Sequence, residues 1–168
     1  MDSPQRKKQR LFDFDYASER YYFVTICTKD RQPFLSKIVG NGGPSAAGFD
    51  RSVKLLYSRA GKACIQHLRN IPIHFPDVTV DKFVVMPNHI HLIIVIGCAE
   101  NSERTNPFPT LSTVIGQYKA GVSKELGVSI WQKSFYDHII RGKEDYREIW
   151  EYIEQNPLKW AQDEYNDG

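Results

Sequence analysis

Residues 83–96 read FVVMPNHIHLIIVI, and this stretch predicts the centre of the fold. Two runs rich in β-branched residues flank Pro87-Asn88, a pattern typical of a β-hairpin with a tight turn. Because successive side chains of a strand alternate between its two faces, His89 and His91 should point the same way, about 6 to 7 Å apart along the strand. The other positions of the second run are apolar on both faces. We therefore expect a central strand whose open end carries two imidazoles.

The composition is ordinary for a soluble globular protein, with 168 residues of which 41% are hydrophobic and 25% charged. This length favours a single domain over residues 1–168 with a substantial core. No apolar run reaches the roughly 20 residues that a membrane-spanning helix needs, and residues 1–10 are too polar and basic for a secretory signal. The 3 cysteines include no Cys-x-x-Cys pair, which fits reduced thiols in the cytoplasm.

Positive charge is concentrated in the first part of the chain. Residues 1–70 contain 13 Lys+Arg and 6 Asp+Glu, a net charge of +7, whereas residues 71–168 carry a net charge of −5. A basic half can supply a phosphate-binding face although the whole chain carries only +2; a solvated surface with chance asymmetry explains the count as well. Residues 1–10 should form a flexible basic arm. The candidate phosphate contacts are Arg6, Lys7, Lys8 and Arg10 in this arm, and Arg51, Lys62 and Arg69 on a predicted helix.

The remaining segments predict further strands and three helices. Apolar residues at helical spacing indicate helices over 51–69, 111–126 and 143–156, and we expect Pro72 and Pro157 to stop the first and the last of them. Strands are predicted at 20–28, 33–39 and 78–86, with a turn at 40–45, a loop at 97–109, a mixed segment at 131–141 and a frayed tail at 161–168. This order is typical of an α+β fold with an antiparallel sheet.

Two histidines on one strand face can share a divalent metal, since each can present a neutral ring nitrogen. The pair does not complete a site, and a histidine pair at the rim of a sheet is the alternative. Tyr152 and Asn156 lie four residues apart, so they share one face of the last helix, and Asn156 can offer an amide oxygen. Glu148 shares this face and is a second-choice ligand. A boundary tyrosine and an asparagine that merely ends the helix before Pro157 would give the same pattern.

Four blocks of sequence resemble a known family. Residues 86–91, MPNHIH, resemble the His-hydrophobe-His (HUH) motif of small bacterial tyrosine transposases. Residues 22–28 (YFVTICT), 131–141 (WQKSFYDHIIR) and 152–160 (YIEQNPLKW) resemble the branch called REP-associated tyrosine transposases. The blocks match in order and spacing, and the resemblance extends over nearly the whole chain, from about residue 8 to about residue 162.

The resemblance implies a ferredoxin-like α+β fold, with an antiparallel sheet in which the HUH strand is central and with helices packed on it. It implies Mg²⁺ or Mn²⁺ held by His89 and His91, with Asn156 as the third protein ligand. Gln155 is an alternative third ligand, because related transposases use a glutamine on this helix. Two histidines alone would also suit Zn²⁺. The implied nucleophile is Tyr152.

The implied activity is cleavage and transfer of single-stranded or hairpin DNA through a 5′-phosphotyrosine. A covalent intermediate keeps the energy of the cleaved bond, so a 3′-hydroxyl can later rejoin strands. His138 and Asp137 are weak candidates for a base. The expected partner is hairpin DNA near repeated extragenic palindromes, and the protein can be a monomer or a homodimer. A metal-dependent nuclease that uses water, a DNA-hairpin-binding protein without catalysis and a general α+β binding module are the alternatives.

Overall fold

The computed structural model describes residues 20–40, 44–45, 48–49, 53–97 and 108–162. Several predicted features lie wholly or partly outside these residues. They are the basic arm with Arg6, Lys7, Lys8 and Arg10, residues 41–43 of the turn at 40–45, the helical residue Arg51, residues 98–107 of the loop at 97–109, and the tail 161–168 except for the backbone of its first two residues.

Short strands and three helices make up the described residues. The strands are β1 (Arg20–Cys27), β2 (Ser36–Val39), β3 (Pro44–Ser45), β4 (Gly48–Phe49), β5 (Lys54–Tyr57), β6 (Val78–Val85), β7 (His89–Ile96) and β8 (Tyr136–Ile139). The helices are α1 (Arg59–His74), α2 (Leu111–Leu126) and α3 (Lys143–Gln155), and short 3-10 helices cover Lys29–Arg31 and Asn156–Gln162. None of the helices in the described ranges is both long and apolar enough to cross a membrane.

Four strands form the main sheet in the order β6-β7-β1-β8, and each neighbouring pair is antiparallel. Helix α1 connects β1 to β6 and α2 connects β7 to β8, which is the βαββαβ order of a ferredoxin-like fold. Strand β7 has a neighbour on each side, and all of its residues are buried. The predicted α+β fold with the histidine strand at its centre is therefore confirmed.

The two faces of β7 belong to two different cores. Ile90, Leu92 and Ile94 pack with residues of α1 and α2, among them Leu68 and Val114. On the opposite face, Ile93 packs with Ile153 of α3. Because side chains alternate along a strand, His89 and His91 share the face of Ile93. Helix α3 thus covers the face on which the two histidines lie, and α1 and α2 cover the other.

The helix predicted over 51–69 is wrong in its first part. Residues 54–57 form β5, which pairs with β2, and the helix begins only after Ser58. The Ser58 hydroxyl accepts a hydrogen bond from the backbone N–H of Gly61 at 3.1 Å, as an N-cap residue does. Apolar residues in β5 happen to fall in helical phase with those of α1, but the tertiary pairing with β2 decides the structure of this segment.

The predicted stop at Pro72 is also wrong, whereas α3 ends at Gln155, within one residue of the end predicted before Pro157. Pro72 lies inside α1, which continues to His74, and the N–H of Phe75 donates to the carbonyl of Ile71 at 2.8 Å. After α3, the chain winds on through Pro157 as a 3-10 helix to Gln162. By contrast, the boundaries predicted for α2 are those observed, and the strands predicted at 20–28 and 78–86 differ from β1 and β6 by one residue.

Candidate active site

The two histidines open β7, and their rings lie together. The ring centroids of His89 and His91 are 4.4 Å apart, and the exposed fractions of these residues are 0% and 1%. The expectation of an open strand end is thereby corrected, because aromatic residues from α3 and the chain after it cover both imidazoles. The ring of Trp160 stacks on His89 at 5.9 Å, and the ring of Tyr152 lies 5.1 Å from that of His91.

Helix α3 presents the Tyr152 hydroxyl to the histidine pair. The Oη atom lies 3.3 Å from Nε2 of His91, and 39% of the residue remains exposed. Phe23 of β1 fixes both rings, since it stacks on His91 at 5.3 Å and meets Tyr152 edge-on at 6.0 Å. The phenol is therefore held against a packed aromatic wall, while part of it stays accessible to a large substrate.

The side chain of Asn156 contains a buried oxygen, Oδ1, that makes no hydrogen bond to the described residues. The residue is 2% exposed. Its backbone angles are helical, φ −56° and ψ −44°, although a proline follows. Asn156 thus lies one helical turn after Tyr152, on the same face. Along the chain it stands between Tyr152, whose ring lies near His91, and Trp160, whose ring stacks on His89.

Each histidine ring is oriented by a side-chain oxygen that lies within hydrogen-bond distance of its Nδ1. Nδ1 of His89 lies 2.8 Å from Oδ1 of Asn88, and Nδ1 of His91 lies 2.8 Å from Oγ1 of Thr25. Such partners orient the rings of metal-binding histidines. The sequence analysis did not identify Thr25 or Asn88 as site residues. Thr25 is the register partner of His91 across the β1–β7 pair, so only the pairing of the strands reveals it.

The donor set fits a divalent cation. Burial, and secondly the neighbouring His89, hold the pKa of His91 well below its usual value of 6.5, so this imidazole is neutral at pH 7, as a metal ligand must be. The described part of the chain contains no cluster of three or more His, Cys, Asp or Glu side chains that could hold a metal. Among the described residues, Oδ1 of Asn156 is a buried oxygen that could add to the two imidazoles, whereas Gln155 is exposed.

The structure does not bring every predicted residue to this site. Lys62 and Arg69 are exposed on α1, which packs on the other face of the sheet. Glu148 is exposed on α3, one turn before Tyr152. Asp137 lies opposite Val24, whose side chain belongs to the core under α1 and α2.

The second candidate base, His138, contributes to local structure at the start of α3. Its Nε2 lies 2.9 Å from Oδ2 of Asp145, and the same carboxylate oxygen accepts from the N–H of Arg141 at 2.8 Å. The three residues tie β8 to the first turn of α3. His138 is therefore explained by this contact rather than by a role at the histidine pair.

At the level of sequence, the chain resembles two proteins of Haemophilus influenzae. No protein-family profile matches the chain. An "Uncharacterized protein" of Haemophilus influenzae is 32% identical over 177 residues, which cover 95% of this chain and 92% of that protein. A "Putative REP-associated tyrosine transposase" of the same organism is 30% identical over 95 residues, which cover 51% of this chain and 52% of that protein. The chain thus spans about half the length of this second relative.

Two solved structures are similar to the chain. A REP-associated tyrosine transposase bound to a REP hairpin superposes with a TM-score of 0.60 at 19% identity, over 91% of this chain and 75% of that one, and therefore shares the fold. A "putative transposase" from Deinococcus radiodurans has a TM-score of 0.47 at 16% identity, over 89% of this chain and 96% of that one. The resemblance carried by the four sequence blocks is confirmed by these likenesses.

Proposed function

We propose that this chain, which resembles REP-associated tyrosine transposases in sequence and in fold, is a metal-dependent enzyme that cleaves and transfers single-stranded or hairpin DNA through a 5′-phosphotyrosine. Homology supports a transposase function in general terms. The observation that carries the finer proposal is the 3.3 Å contact between the Tyr152 hydroxyl and Nε2 of His91. The candidate nucleophile, Tyr152, is thus in contact with a candidate metal ligand, His91.

His89, His91 and Asn156 would hold the divalent cation, Mg²⁺ or Mn²⁺. When bound, the cation would stabilise the negative charge that develops on the attacked phosphate. The choice of Asn156 is supported by its buried Oδ1, which has no hydrogen-bond partner among the described residues. Gln155 is exposed, so it is the weaker candidate for the third ligand.

Tyr152 would act as the nucleophile. Its hydroxyl gives up its proton to solvent as the oxygen attacks the scissile phosphorus, a new O–P bond forms, and the bond from phosphorus to the 3′ oxygen breaks. The leaving 3′ oxygen takes up a proton and becomes a free 3′-hydroxyl, while the 5′-phosphate stays on the tyrosine. Attack by a 3′-hydroxyl on this phosphotyrosine reverses the step and joins strands. Phe23 holds the ring for this reaction through its edge-on contact at 6.0 Å.

The substrate would be a DNA hairpin with a single-stranded cleavage site. This part of the proposal is supported by the similar transposase that was solved bound to a REP hairpin. Tyr136 of β8 is 56% exposed and lies 6.4 Å from Phe23, on the side of the sheet where Tyr152 lies. An exposed aromatic ring beside the nucleophile can stack on an unpaired base. Association as a homodimer remains a prediction.

The first test uses labelled hairpin oligonucleotides of several sequences, incubated with Mn²⁺ or Mg²⁺ and analysed on a denaturing gel. The wild-type protein should give a slowly migrating, protease-sensitive adduct. Tyr152→Phe should give no adduct and should still bind the hairpin in a native gel, since only the hydroxyl is removed. Cleavage by Tyr152→Phe would identify a nuclease that uses water instead.

The histidines provide a second test of the same proposal. His89→Ala and His91→Ala should each weaken Mn²⁺ binding and cleavage together, because each removes one nitrogen ligand. Mn²⁺ binding unchanged in both variants would remove the metal site from the proposal. Tight hairpin binding by the wild-type protein without any adduct on any hairpin would favour a DNA-binding protein without catalysis.

A further inference from the structure

A strained turn lies next to the histidine hairpin. Asp30 has φ 53° and ψ 25°, and Arg31 has φ 51°, so two successive residues other than glycine adopt left-handed backbone conformations. The N–H of Gln32 donates to the carbonyl of Lys29 at 3.2 Å and closes the turn. This conformation is unfavourable because the Cβ of each residue approaches the following carbonyl oxygen. Strain of this kind persists where the surrounding contacts require it, and it is concentrated at functional sites.

The segment with the strained turn packs on the tip of the β6–β7 hairpin. The N–H of Thr28 donates to the carbonyl of Asn88 at 3.0 Å, and the Thr28 hydroxyl lies 3.0 Å from the same carbonyl and 2.9 Å from that of Gln32. The N–H of Leu35 donates to the carbonyl of Pro87 at 2.9 Å. Both backbone carbonyls of the hairpin tip are thus bonded to this one segment, and Asn88 is 3% exposed.

The side chain of Asn88 links the strained turn to the first histidine. Its Nδ2 donates to the carbonyl of Arg31 at 3.2 Å, and its Oδ1 lies 2.8 Å from Nδ1 of His89. A backbone carbonyl can only accept a hydrogen bond, so the amide nitrogen must face Arg31. The amide oxygen then faces His89 and can only accept. In the neutral ring of His89, Nδ1 therefore carries the proton and Nε2 carries the lone pair.

We propose that Asn88 is a positioning residue that holds His89 in the Nδ1–H tautomer, with the carbonyl of Arg31 in the strained turn as its anchor. The role rests on the proposed function, because a divalent cation would bind the lone pair on Nε2. Thr25 does not fix the tautomer of His91 in this way, since a hydroxyl can either donate or accept a hydrogen bond. The left-handed backbone at Arg31 is explained by the carbonyl that it presents to Asn88.

The test reads the tautomer directly in the metal-free protein. Long-range ¹H–¹⁵N correlation spectra of ¹⁵N-labelled wild-type protein should show the Nδ1–H form of His89. Asn88→Ala should convert it to the Nε2–H form or a mixture, and should lower Mn²⁺ affinity, measured by electron paramagnetic resonance, by about 10- to 100-fold, as loss of an outer partner of a ligand does. Asn88→Asp loses the donor to Arg31 but keeps an oxygen that can only accept from Nδ1 of His89, and should therefore keep the tautomer.

Asn70→Ala is the matched control. Asn70 accepts a hydrogen bond from Gln66 within α1, on the other side of the sheet. This variant should leave both the tautomer and the Mn²⁺ affinity unchanged, so a general effect of removing an asparagine is excluded.

The outcomes separate this inference from the proposed function. An Nε2–H tautomer of His89 in the wild-type protein, or an unchanged tautomer in folded Asn88→Ala, would overturn the role of Asn88. If Asn88→Ala does not fold, the spectra of wild type and Asn88→Asp decide, because loss of the Nδ1–H form in the aspartate variant would overturn the role too. Wild-type protein with the expected tautomers but without Mn²⁺ binding would refute the metal site and leave the role of Asn88 supported.

Discussion

At the scale of single residues, the buried side-chain oxygen of Asn156 carries a free-energy cost. Leaving a buried carbonyl oxygen such as Oδ1 of Asn156 unsatisfied costs about 1–3 kcal/mol. Such atoms are uncommon in folded proteins, and each calls for an explanation. The proposed role of Asn156 as a cation ligand would account for this atom, and it agrees with the neutral imidazole of His91. Gln155, the next residue in the chain, is exposed and carries no comparable cost.

Asn156→Ala tests this explanation against a matched neighbour. We expect Mn²⁺ affinity, measured by titration calorimetry, to fall by at least about tenfold, because the loss of even an outer partner of a ligand has that effect. Gln155→Ala removes an amide of the same chemistry from an exposed position and should leave the affinity unchanged. The reverse pattern would make Gln155 the third ligand.

Cys64 of α1 gives a second prediction at this scale. Burial raises the pKa of its thiol to about 12, and a hydrogen bond involving Tyr118 offsets this only in part. Because the thiolate is the reactive form, Cys64 should resist a disulfide reagent at pH 8 in the folded protein and react in 6 M (roughly) guanidinium. Mass spectrometry of the labelled peptides identifies the residue. Rapid labelling of Cys64 in the folded protein would contradict its burial.

The same shift in pKa predicts how stability depends on pH. The thiol of the unfolded chain loses its proton near pH 9, its ordinary value, whereas that of the folded protein keeps it until about pH 12. The folded state therefore binds more protons in this range, and the contribution of Cys64 to the free energy of unfolding is present below pH 9 and is lost as the pH rises towards 12. Cys64→Ala should show a weaker loss of stability over this range in urea titrations.

At the scale of elements, α3 is held on the sheet by a β-bulge as well as by its apolar face. Asp81 accepts a hydrogen bond from the hydroxyl of Tyr146 at 2.5 Å, and Lys82 pairs with Glu154 and lies 3.9 Å over the ring of Trp150. Successive residues of a regular strand point to opposite faces, but β6 changes register at this point. The bulge thus lets two neighbouring side chains of β6 reach the helix that carries Tyr152.

Ile153→Ala tests the apolar part of this anchoring. Ile153 is 1% exposed and packs with Ile93 and Ile140. Its truncation should lower the free energy of unfolding by about 2–5 kcal/mol in urea titrations, and should lower the yield of DNA adduct because Tyr152 is the adjacent residue. Glu151→Ala, on the other side of Tyr152 and exposed, should change stability by no more than about 0.5 kcal/mol. Equal effects of both variants would contradict this packing.

At the scale of the whole molecule, the sheet separates two surfaces. On one side, α3 with Tyr152 covers the histidines. The other side carries α1 with the exposed Lys62 and Arg69. A short single strand in the candidate active site would not reach α1 through the sheet. If Lys62 and Arg69 contact DNA, they should contact a distant part of it, such as the stem of a hairpin.

The double variant Lys62→Ala, Arg69→Ala separates these two parts of the substrate. Loss of two phosphate contacts should reduce the slope of log affinity against log salt by roughly 2 for the hairpin. The affinity for a short single strand should not change. Lys62→Arg, Arg69→Lys keeps the charges and is the control. An unchanged hairpin slope in the alanine variant would show that α1 is only a solvated surface.

Local pattern alone was sufficient to predict much of this fold. The hairpin around Pro87-Asn88, the boundaries of α2 and the shared face of Tyr152 and Asn156 could be predicted because alternation and helical spacing act between residues close in the chain. The separate burial of the two faces of β7 follows from the same rule. Order and spacing of four motifs were sufficient to indicate the family.

Contacts between distant residues decided the rest. The change from helix to strand at residues 54–57 depends on pairing with β2, about eighteen residues earlier in the chain. Thr25 reaches His91 only because β1 pairs with β7, and Trp160 covers His89 only because helical backbone continues past Pro157. The carbonyl of Arg31 meets Asn88 through a strained turn. Sequence patterns report local periodicity, whereas the tertiary structure sets which distant groups satisfy one another's hydrogen bonds and packing.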